Sequence, residues 1–126
     1  MVSQERSLKI ARRIREELAV QLLFHVTDPR LHGVTVTQVR VDKELAFANI
    51  FVSCLEGSIR EPEIMEGLNS AAGYLRRQLV NQIPLRSFPR LRFRWDPAPE
   101  HADHMDRLFQ QIRDENPTDE EEGTND

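Results

Sequence analysis

Residues 34–54 hold two strand-like runs with only a short polar turn between them, and this arrangement limits the fold more than any other feature of the sequence. The first run, 34–41, is rich in β-branched residues, and the second, 45–54, alternates between two faces. Because the turn around Asp42, Lys43 and Glu44 is too short for a crossover, the two runs must pair as an antiparallel hairpin. The apolar residues of the first run change phase along its length, which indicates either a β-bulge or a strand partly covered on both faces.

Amphipathic helical segments flank this hairpin. Apolar residues at spacings of three and four predict a helix over 4–25, with Ser3 as its N-cap, and Pro29 ends the segment. A second apolar stripe follows Pro62 and contains Gly73. An interior glycine costs about 1 kcal/mol relative to alanine, so Gly73 indicates a kink, a break, a close backbone contact or a glycine that is simply tolerated.

A third strand is predicted at 90–95, where apolar and basic residues alternate. Leu91, Phe93 and Trp95 share the inward face, so we expect the two aromatic residues to belong to the core. This strand must return to the hairpin after a helical crossover. The order of elements therefore predicts an α+β fold, a two-layer sandwich with helices on one face of a three-stranded sheet.

Charge is distributed very unevenly along the chain. Residues 96–126 hold eleven acidic and two basic residues, a net charge of −9, whereas residues 1–95 hold fifteen basic and ten acidic residues, a net charge of +5. An acidic end thus masks a basic body, whose local surface can attract phosphate. We expect a domain over 1–98, a late amphipathic helix over 99–113 and a disordered acidic tail over 114–126.

The sequence contains little that an enzyme, a metal site or a membrane protein requires. Cys54 is the only cysteine, and we expect it to pack in the core of a cytoplasmic protein. His101 and His104 share a helical face, but no cysteine pair or glutamate completes a known metal-binding spacing. No nucleophile motif or phosphate-binding loop is present, and no apolar run approaches roughly 20 residues. We therefore expect no catalysis, cofactor, metal, small-molecule substrate or membrane partner.

Four motifs, in order along the chain, resemble the ribosome-binding factor A family over about residues 4–113. They are Asp28-Pro29-Arg30-Leu31, the hairpin from Val36 to Val52, Ala71-Ala72-Gly73-Tyr74-Leu75-Arg76, and the segment from Leu85 to Phe93. The resemblance implies a type II KH-like fold in the order helix, strand, strand, helix, kink, helix, strand. It also implies that a kink at Ala71, Ala72 and Gly73 replaces the GXXG loop of ordinary KH domains.

The resemblance further implies a ribosome biogenesis factor that catalyses nothing. Such a protein binds the immature small (30S) ribosomal subunit and its 16S-type rRNA, assists late maturation and rRNA processing, and supports growth in the cold. It would act as a cytoplasmic monomer. It would favour one arrangement of rRNA helices through its different affinity for the two states.

RNA binding of this kind needs basic side chains on one surface. We predict seven contacts with RNA, namely Arg6, Lys9, Arg13, Arg30, Arg76, Arg77 and Arg86. A kink at Gly73 would also expose backbone N–H groups beside two of these arginines, as a site for phosphate.

Several alternatives to RNA contact stay open. The arginines of the first helix can simply solvate it, paired with glutamates four residues later, and Arg30 can cap the end of that helix. Arg90, Arg92 and Arg94 form either an RNA-binding stripe or a charged guard on an edge strand. For the whole chain, the other functions are a general single-stranded RNA module, a small enzyme, and a protein-interaction module that uses the acidic tail.

Overall fold

The structure is a computed structural model that describes residues 1–115. Met1–Asp96 form one compact unit, and a second unit begins at Pro97. In chain order the first unit contains α1 (Gln4–Val20, extended by a π-helical turn over Gln21–His25), β1 (Thr35–Val41), β2 (Phe47–Ser53), α2 (Glu61–Gln82) and β3 (Arg90–Trp95). The second unit contains α3 (Ala98–Glu115).

The three strands form one mixed sheet in the order β1-β2-β3. β1 and β2 are antiparallel, and their register shifts between Val36 and Gln38, which confirms the predicted bulge. Val36 and Val39 are both buried as a result, although strict alternation would place them on opposite faces. β3 runs parallel to β2, because α2 crosses over between them. The predicted α+β two-layer fold of the type II KH-like order is thereby confirmed.

The core lies between one face of the sheet and the two helices α1 and α2. Its largest fully buried side chains come from all three parts of this sandwich: Ile14, Leu18, Ile50, Val52, Ile64, Leu68, Leu75 and Leu79. Each such side chain contributes about 1.5–3 kcal/mol by leaving water. Phe93 is buried and Trp95 is half-buried, which confirms the predicted inward face of β3. Cys54 is also buried, as expected.

α2 is one uninterrupted helix of 22 residues, so no loop separates two helices at Ala71, Ala72 and Gly73, and the kink expected there stays a prediction. The helix continues through all three residues, so their neighbours' backbone N–H groups are used within the helix and are not exposed to bind phosphate. Gly73 itself is exposed, and a Cβ atom there would meet only the Arg77 side chain, with Nη1 at 3.4 Å. Neither a break in the helix nor a close backbone contact therefore accounts for Gly73.

The glycine of α2 that packing requires is Gly67, which lies one turn and a half earlier. A Cβ atom there would lie 3.0 Å from Leu31 Cδ2 and 3.2 Å from Arg30 Cβ. Leu31 is buried and belongs to a 3-10 turn over Pro29–Leu31 that follows α1. The missing side chain at Gly67 thus allows this turn to approach the backbone of α2.

α3 begins at Ala98 and ends at Glu115, which confirms the late amphipathic helix. Asp114 and Glu115, which we expect from the sequence to be disordered, are helical, and the rest of the predicted tail lies outside the described residues. The apolar side chains of α3, which are Met105, Leu108, Phe109 and Ile112, are exposed. Within residues 1–115, every helix is too short or too polar to cross a membrane.

The change Gly67→Ala is expected to lower the free energy of unfolding by about 1–3 kcal/mol, because the added methyl group overpacks against Leu31. The matched change Gly73→Ala meets only a flexible arginine, so a gain in helix propensity of up to about 1 kcal/mol should raise stability. Urea denaturation of both variants, followed by circular dichroism, measures these differences. Equal stability of the two variants would contradict the close packing at Gly67.

Candidate nucleic-acid interface

The seven predicted RNA contacts do not form a single cluster. The structure places them on α1, in the turn after α1, on α2 and in the loop between α2 and β3. They fall into two groups. Four side chains are exposed and have at most a weak ion pair, namely Arg6, Lys9, Arg77 and Arg86, whereas Arg13, Arg30 and Arg76 are held by contacts within the protein.

The three predicted RNA contacts on α1 are all exposed, and they differ in what they contact within the protein. The backbone N–H of Arg6 donates to Ser3 Oγ at 3.1 Å, which confirms the N-cap. Lys9 Nζ lies 3.6 Å from Glu5 Oε1, and both side chains are exposed, so this pair contributes little. Arg13 Nη2 donates to the carbonyl oxygen of Gln82 at 3.2 Å and therefore links α1 to the last turn of α2.

The guanidinium of Arg30 forms ion pairs with two carboxylates. Its Nη2 atom lies 2.6 Å from Asp28 Oδ2, and its Nη1 atom lies 3.4 Å from Glu66 Oε1. Asp28 Oδ1 also accepts the backbone N–H of Arg30 at 3.0 Å and so caps the 3-10 turn. The side-chain hydrogen bond with Arg30 holds the pKa of Asp28 below its ordinary value, and the same bond raises the pKa of Arg30. Arg30 thus stabilises the turn itself, and its contact with RNA stays a prediction.

Arg60 also stabilises this turn, and it is not among the residues predicted from the sequence. Its Nη1 and Nη2 atoms donate to the carbonyl oxygens of His32 at 2.8 Å and of Arg30 at 3.2 Å. Glu63 Oε1 lies 2.6 Å from Arg60 Nε, and this hydrogen bond raises the pKa of the guanidinium. The only signal in the sequence is the presence of glutamates at helical spacing on either side, which is common on any helix.

Arg76 joins α2 to the start of β3. Its Nη2 atom donates to the carbonyl oxygen of Phe88 at 2.8 Å, and its Nε atom donates to that of Pro89 at 3.3 Å. The guanidinium also lies over the Phe88 ring, 5.8 Å from the centroid. The adjacent Arg77 is exposed and makes no ion pair or hydrogen bond through its side chain within residues 1–115, and the same is true of Arg86.

A further basic group lies on the face of the sheet opposite α1 and α2. We call it the sheet patch, and it comprises the arginines of β1 and β3 with the aromatic residues of β2 between them: Arg40, Arg90, Arg92, Arg94, Phe47 and Phe51. The guanidinium of Arg92 lies 3.8 Å from the centroid of the Phe47 ring, and that of Arg40 lies 5.8 Å from the centroid of the Phe51 ring.

The exposure of Arg40 on this face of the sheet could not be predicted from the alternation of residues in β1. By simple alternation Arg40 shares a face with Val36, which is buried. The register shift after Val36 reverses the phase of β1, so that Arg40 is exposed opposite Asn49. Its orientation therefore depends on the position of the bulge, which the sequence indicates only approximately.

Neither a metal centre nor an activated thiol is evident in the described part of the chain. Residues 1–115 contain no group of three or more histidine, cysteine, aspartate or glutamate side chains that could hold a metal ion. Cys54 is buried, and this burial raises the pKa of its thiol, which disfavours the reactive thiolate.

The order of elements and the helix-covered sheet place this chain among small KH-like α+β proteins, and its unpaired arginines are of the kind that bind phosphate. The chain belongs to the ribosome-binding factor A family, whose model matches residues 6–109. This is a family of ribosome-binding factors and not a known family of enzymes.

Similar relatives extend over most of the chain. Ribosome-binding factor A of Marinomonas sp. is 39% identical over 115 residues, which cover 87% of this chain and 88% of the relative. Ribosome-binding factor A of Clostridioides difficile is 37% identical over 117 residues, which cover 92% of this chain and 91% of the relative.

Solved structures of related proteins share the fold. A solution structure of a Thermotoga maritima protein described as a ribosome-binding factor A is 29% identical, with a TM-score of 0.64 over 75% of this chain and 90% of that chain. A homology model of Thermus thermophilus ribosome-binding factor A, as fitted into a cryo-electron microscopy map of a 30S complex, is 26% identical, with a TM-score of 0.58 over 69% of this chain and 91% of that chain.

Replacing Arg76 by glutamine is expected to lower the free energy of unfolding by about 1–2 kcal/mol, because the carbonyl groups of Phe88 and Pro89 lose a charged donor. The matched change Arg77→Gln touches no such contact and should stay within about 0.5 kcal/mol of the wild type. Thermal and urea denaturation measure both values. If Arg76→Gln proves as stable as Arg77→Gln, Arg76 does not hold α2 to β3.

The change Asp28→Asn is expected to destabilise the protein at neutral pH, with a loss that shrinks in acid. The folded-state pKa of Asp28 is lowered, so its stabilising contribution is present above the ordinary aspartate pKa and disappears as the pH falls through the lowered value. Denaturation midpoints at neutral and acidic pH measure this convergence, and Asp106→Asn on α3 controls for the loss of a carboxylate. A constant difference at every pH would show that the charge of Asp28 is unimportant.

Proposed function

We propose that this protein binds the immature small ribosomal subunit through its rRNA and assists the late maturation of that particle without catalysing a reaction. Membership in the ribosome-binding factor A family, over residues 6–109, carries this proposal. The Thermus thermophilus relative that was fitted into a map of a 30S complex supports the choice of the small subunit.

The contacts within the fold support a smaller set of RNA-binding residues than the sequence suggests. Arg30 is already paired with two carboxylates, and Arg76 uses its Nε and Nη2 donors on two carbonyl groups, so each has fewer donors left for phosphate than an unpaired arginine. Arg77 and Arg86 have no such partner within the described residues. We therefore assign phosphate contacts first to these two side chains, with Arg6, Lys9 and the half-exposed Arg13 as further contacts from α1.

A rigid body is well suited to read folded RNA by its shape. RNA helices are recognised mainly through phosphates and 2′-hydroxyl groups, and α2 is one continuous helix that presents Arg77 in a fixed position. Binding then favours one arrangement of the rRNA only as far as affinity differs between the two arrangements. Continuous α2 also leaves no loop of the GXXG type between two helices, which disfavours a general single-stranded RNA module that relies on such a loop.

We further propose that this activity assists rRNA processing and matters most in the cold, where misfolded RNA persists longest. The protein would act as a cytoplasmic monomer, with the KH-like domain over 1–98 as its RNA-binding part. The acidic residues of 96–126 would weaken binding to RNA in general by repelling phosphate. Cells that lack the protein should accumulate precursors of the small-subunit rRNA at low temperature, as measured by primer extension.

The double variant Arg77→Glu/Arg86→Glu is expected to reduce co-sedimentation with free small subunits about tenfold at moderate salt, because it replaces two phosphate contacts by repulsion. Sucrose-gradient centrifugation with separated ribosomal particles measures this loss. The wild-type protein should co-sediment with small subunits and dissociate from them as the salt concentration rises.

The double variant Arg107→Glu/Arg113→Glu serves as a control, since it makes the same change in net charge on α3. Equal losses in the two double variants would show that only net charge matters and would overturn the assignment of Arg77 and Arg86. A wild-type protein that stays at the top of the gradient at low salt would overturn the proposed function.

A further inference from the structure

We propose that the sheet patch is a separate RNA-binding surface, which holds a single-stranded stretch of RNA. Its arginines would contact phosphates, and Phe47 and Phe51 would stack with bases. This inference rests on the proposed function, because it names a part of the rRNA that the protein would hold. The patch lies on the face of the sheet opposite α1 and α2, and so it is distinct from the basic residues of the two helices.

Within the part of the chain that the structure describes, the charge of the sheet patch lacks a partner. In residues 1–115 its four arginine side chains make no ion pair and no side-chain hydrogen bond, whereas Arg13, Arg30, Arg60 and Arg76 all do. The three arginines of β3 stand at alternate positions of one strand and are therefore about 7 Å apart. Like charges at such distances on one face of a sheet repel one another. A bound polyanion removes this repulsion.

The positions between these arginines carry no acid that would weaken the field. Arg40, Asn49 and Arg92 are paired in register across the three strands, and Gln38, Phe51 and Arg94 form the neighbouring row. The two rows thus present basic, amide and aromatic groups only. A ligand that lies across these two rows meets no carboxylate, while Asp42, next to Phe47, and Asp96, next to Thr37, lie beyond the rows.

The aromatic residues distinguish this surface from a simple charged edge. A guard against strand pairing needs charge on the outer strands alone, and it does not require two phenylalanines on the solvent-facing side of the central strand. Phe47 and Phe51 are half-buried, and within Met1–Asp96 the guanidinium groups of Arg92 and Arg40 lie over their rings. Their rings are about 13 Å apart along β2, with Asn49 between them.

An exchange of partners gives the proposed mode of binding. A base stacks on an aromatic side chain more strongly than an exposed guanidinium does. When a base displaces Arg92 from the Phe47 ring, the freed guanidinium fork can turn to the adjacent phosphate and bind it through two hydrogen bonds. Basic residues interleaved with aromatic rings are the feature by which proteins hold single-stranded RNA. An acidic peptide would use the arginines but not the rings.

Binding of a labelled oligouridylate of about ten nucleotides to the full chain, followed by fluorescence anisotropy, tests this inference. The double variant Arg40→Gln/Arg92→Gln is expected to bind at least about tenfold more weakly than the wild type. Phe47→Leu keeps the charge and removes the ring, and it should weaken binding about fivefold or more. The control Arg12→Gln/Arg15→Gln makes the same change in charge on exposed positions of α1 and should have less than about a threefold effect.

Two results would overturn the inference. One is an affinity of both sheet variants equal to that of the α1 control. The other combines two observations: oligoglutamate of matched charge displaces the RNA, and Phe47→Leu does not change the affinity for RNA. The sheet patch would then bind acidic ligands through its arginines alone. Circular dichroism confirms that each variant is folded, and the exposed arginine changes keep the test valid if Phe47→Leu is unstable.

Co-sedimentation of the same variants with small subunits separates this inference from the proposed function. A wild type that rides with small subunits, combined with sheet variants that bind oligouridylate normally, would leave the proposed function intact and refute the sheet patch. If the wild-type protein does not co-sediment with small subunits but binds oligouridylate through the sheet patch, only the proposed function is refuted.

Discussion

Burial of the inward face of β2 beneath α1 and α2 is the contact on which the rest of the molecule depends. Ala48, Ile50 and Val52 are fully buried there, and β2 is the central strand that pairs with both neighbours. Because successive side chains of a strand point to opposite faces, fixing these three residues inward fixes Phe47 and Phe51 outward. A single packing requirement thus creates both the core and the surface that faces RNA in our proposal.

The elements follow from sequence periodicity, whereas the details that depend on distant contacts do not. Helical spacing and strand alternation predict α1, the hairpin and β3, since each pattern records burial on one face. α2 continues as a helix through Gly73, and Leu68, Leu75 and Leu79 are buried on both sides of that residue. The closeness of Gly67 to Leu31 escaped prediction, since nothing local shows what packs against a glycine.

The roles of the arginines could be predicted least well. Arg76 and Arg77 are adjacent in sequence, yet one donates to carbonyl groups twelve and thirteen residues away and the other is exposed. Family resemblance indicates that basic side chains matter, but only the folded chain separates those that stabilise it from those that are available to a ligand. Arg40 is a further case, because the bulge between Val36 and Gln38 decides which face of the sheet its side chain is on.

The parallel pairing of β2 with β3 also orders the events of folding. The hairpin of β1 and β2 is local, but β3 can pair only after α2 has crossed the sheet, and such distant contacts form slowly. Arg92 reaches the Phe47 ring only when β3 has docked. A chain that is still emerging from synthesis therefore lacks the complete arginine and aromatic surface, and it cannot hold RNA there before its own fold is finished.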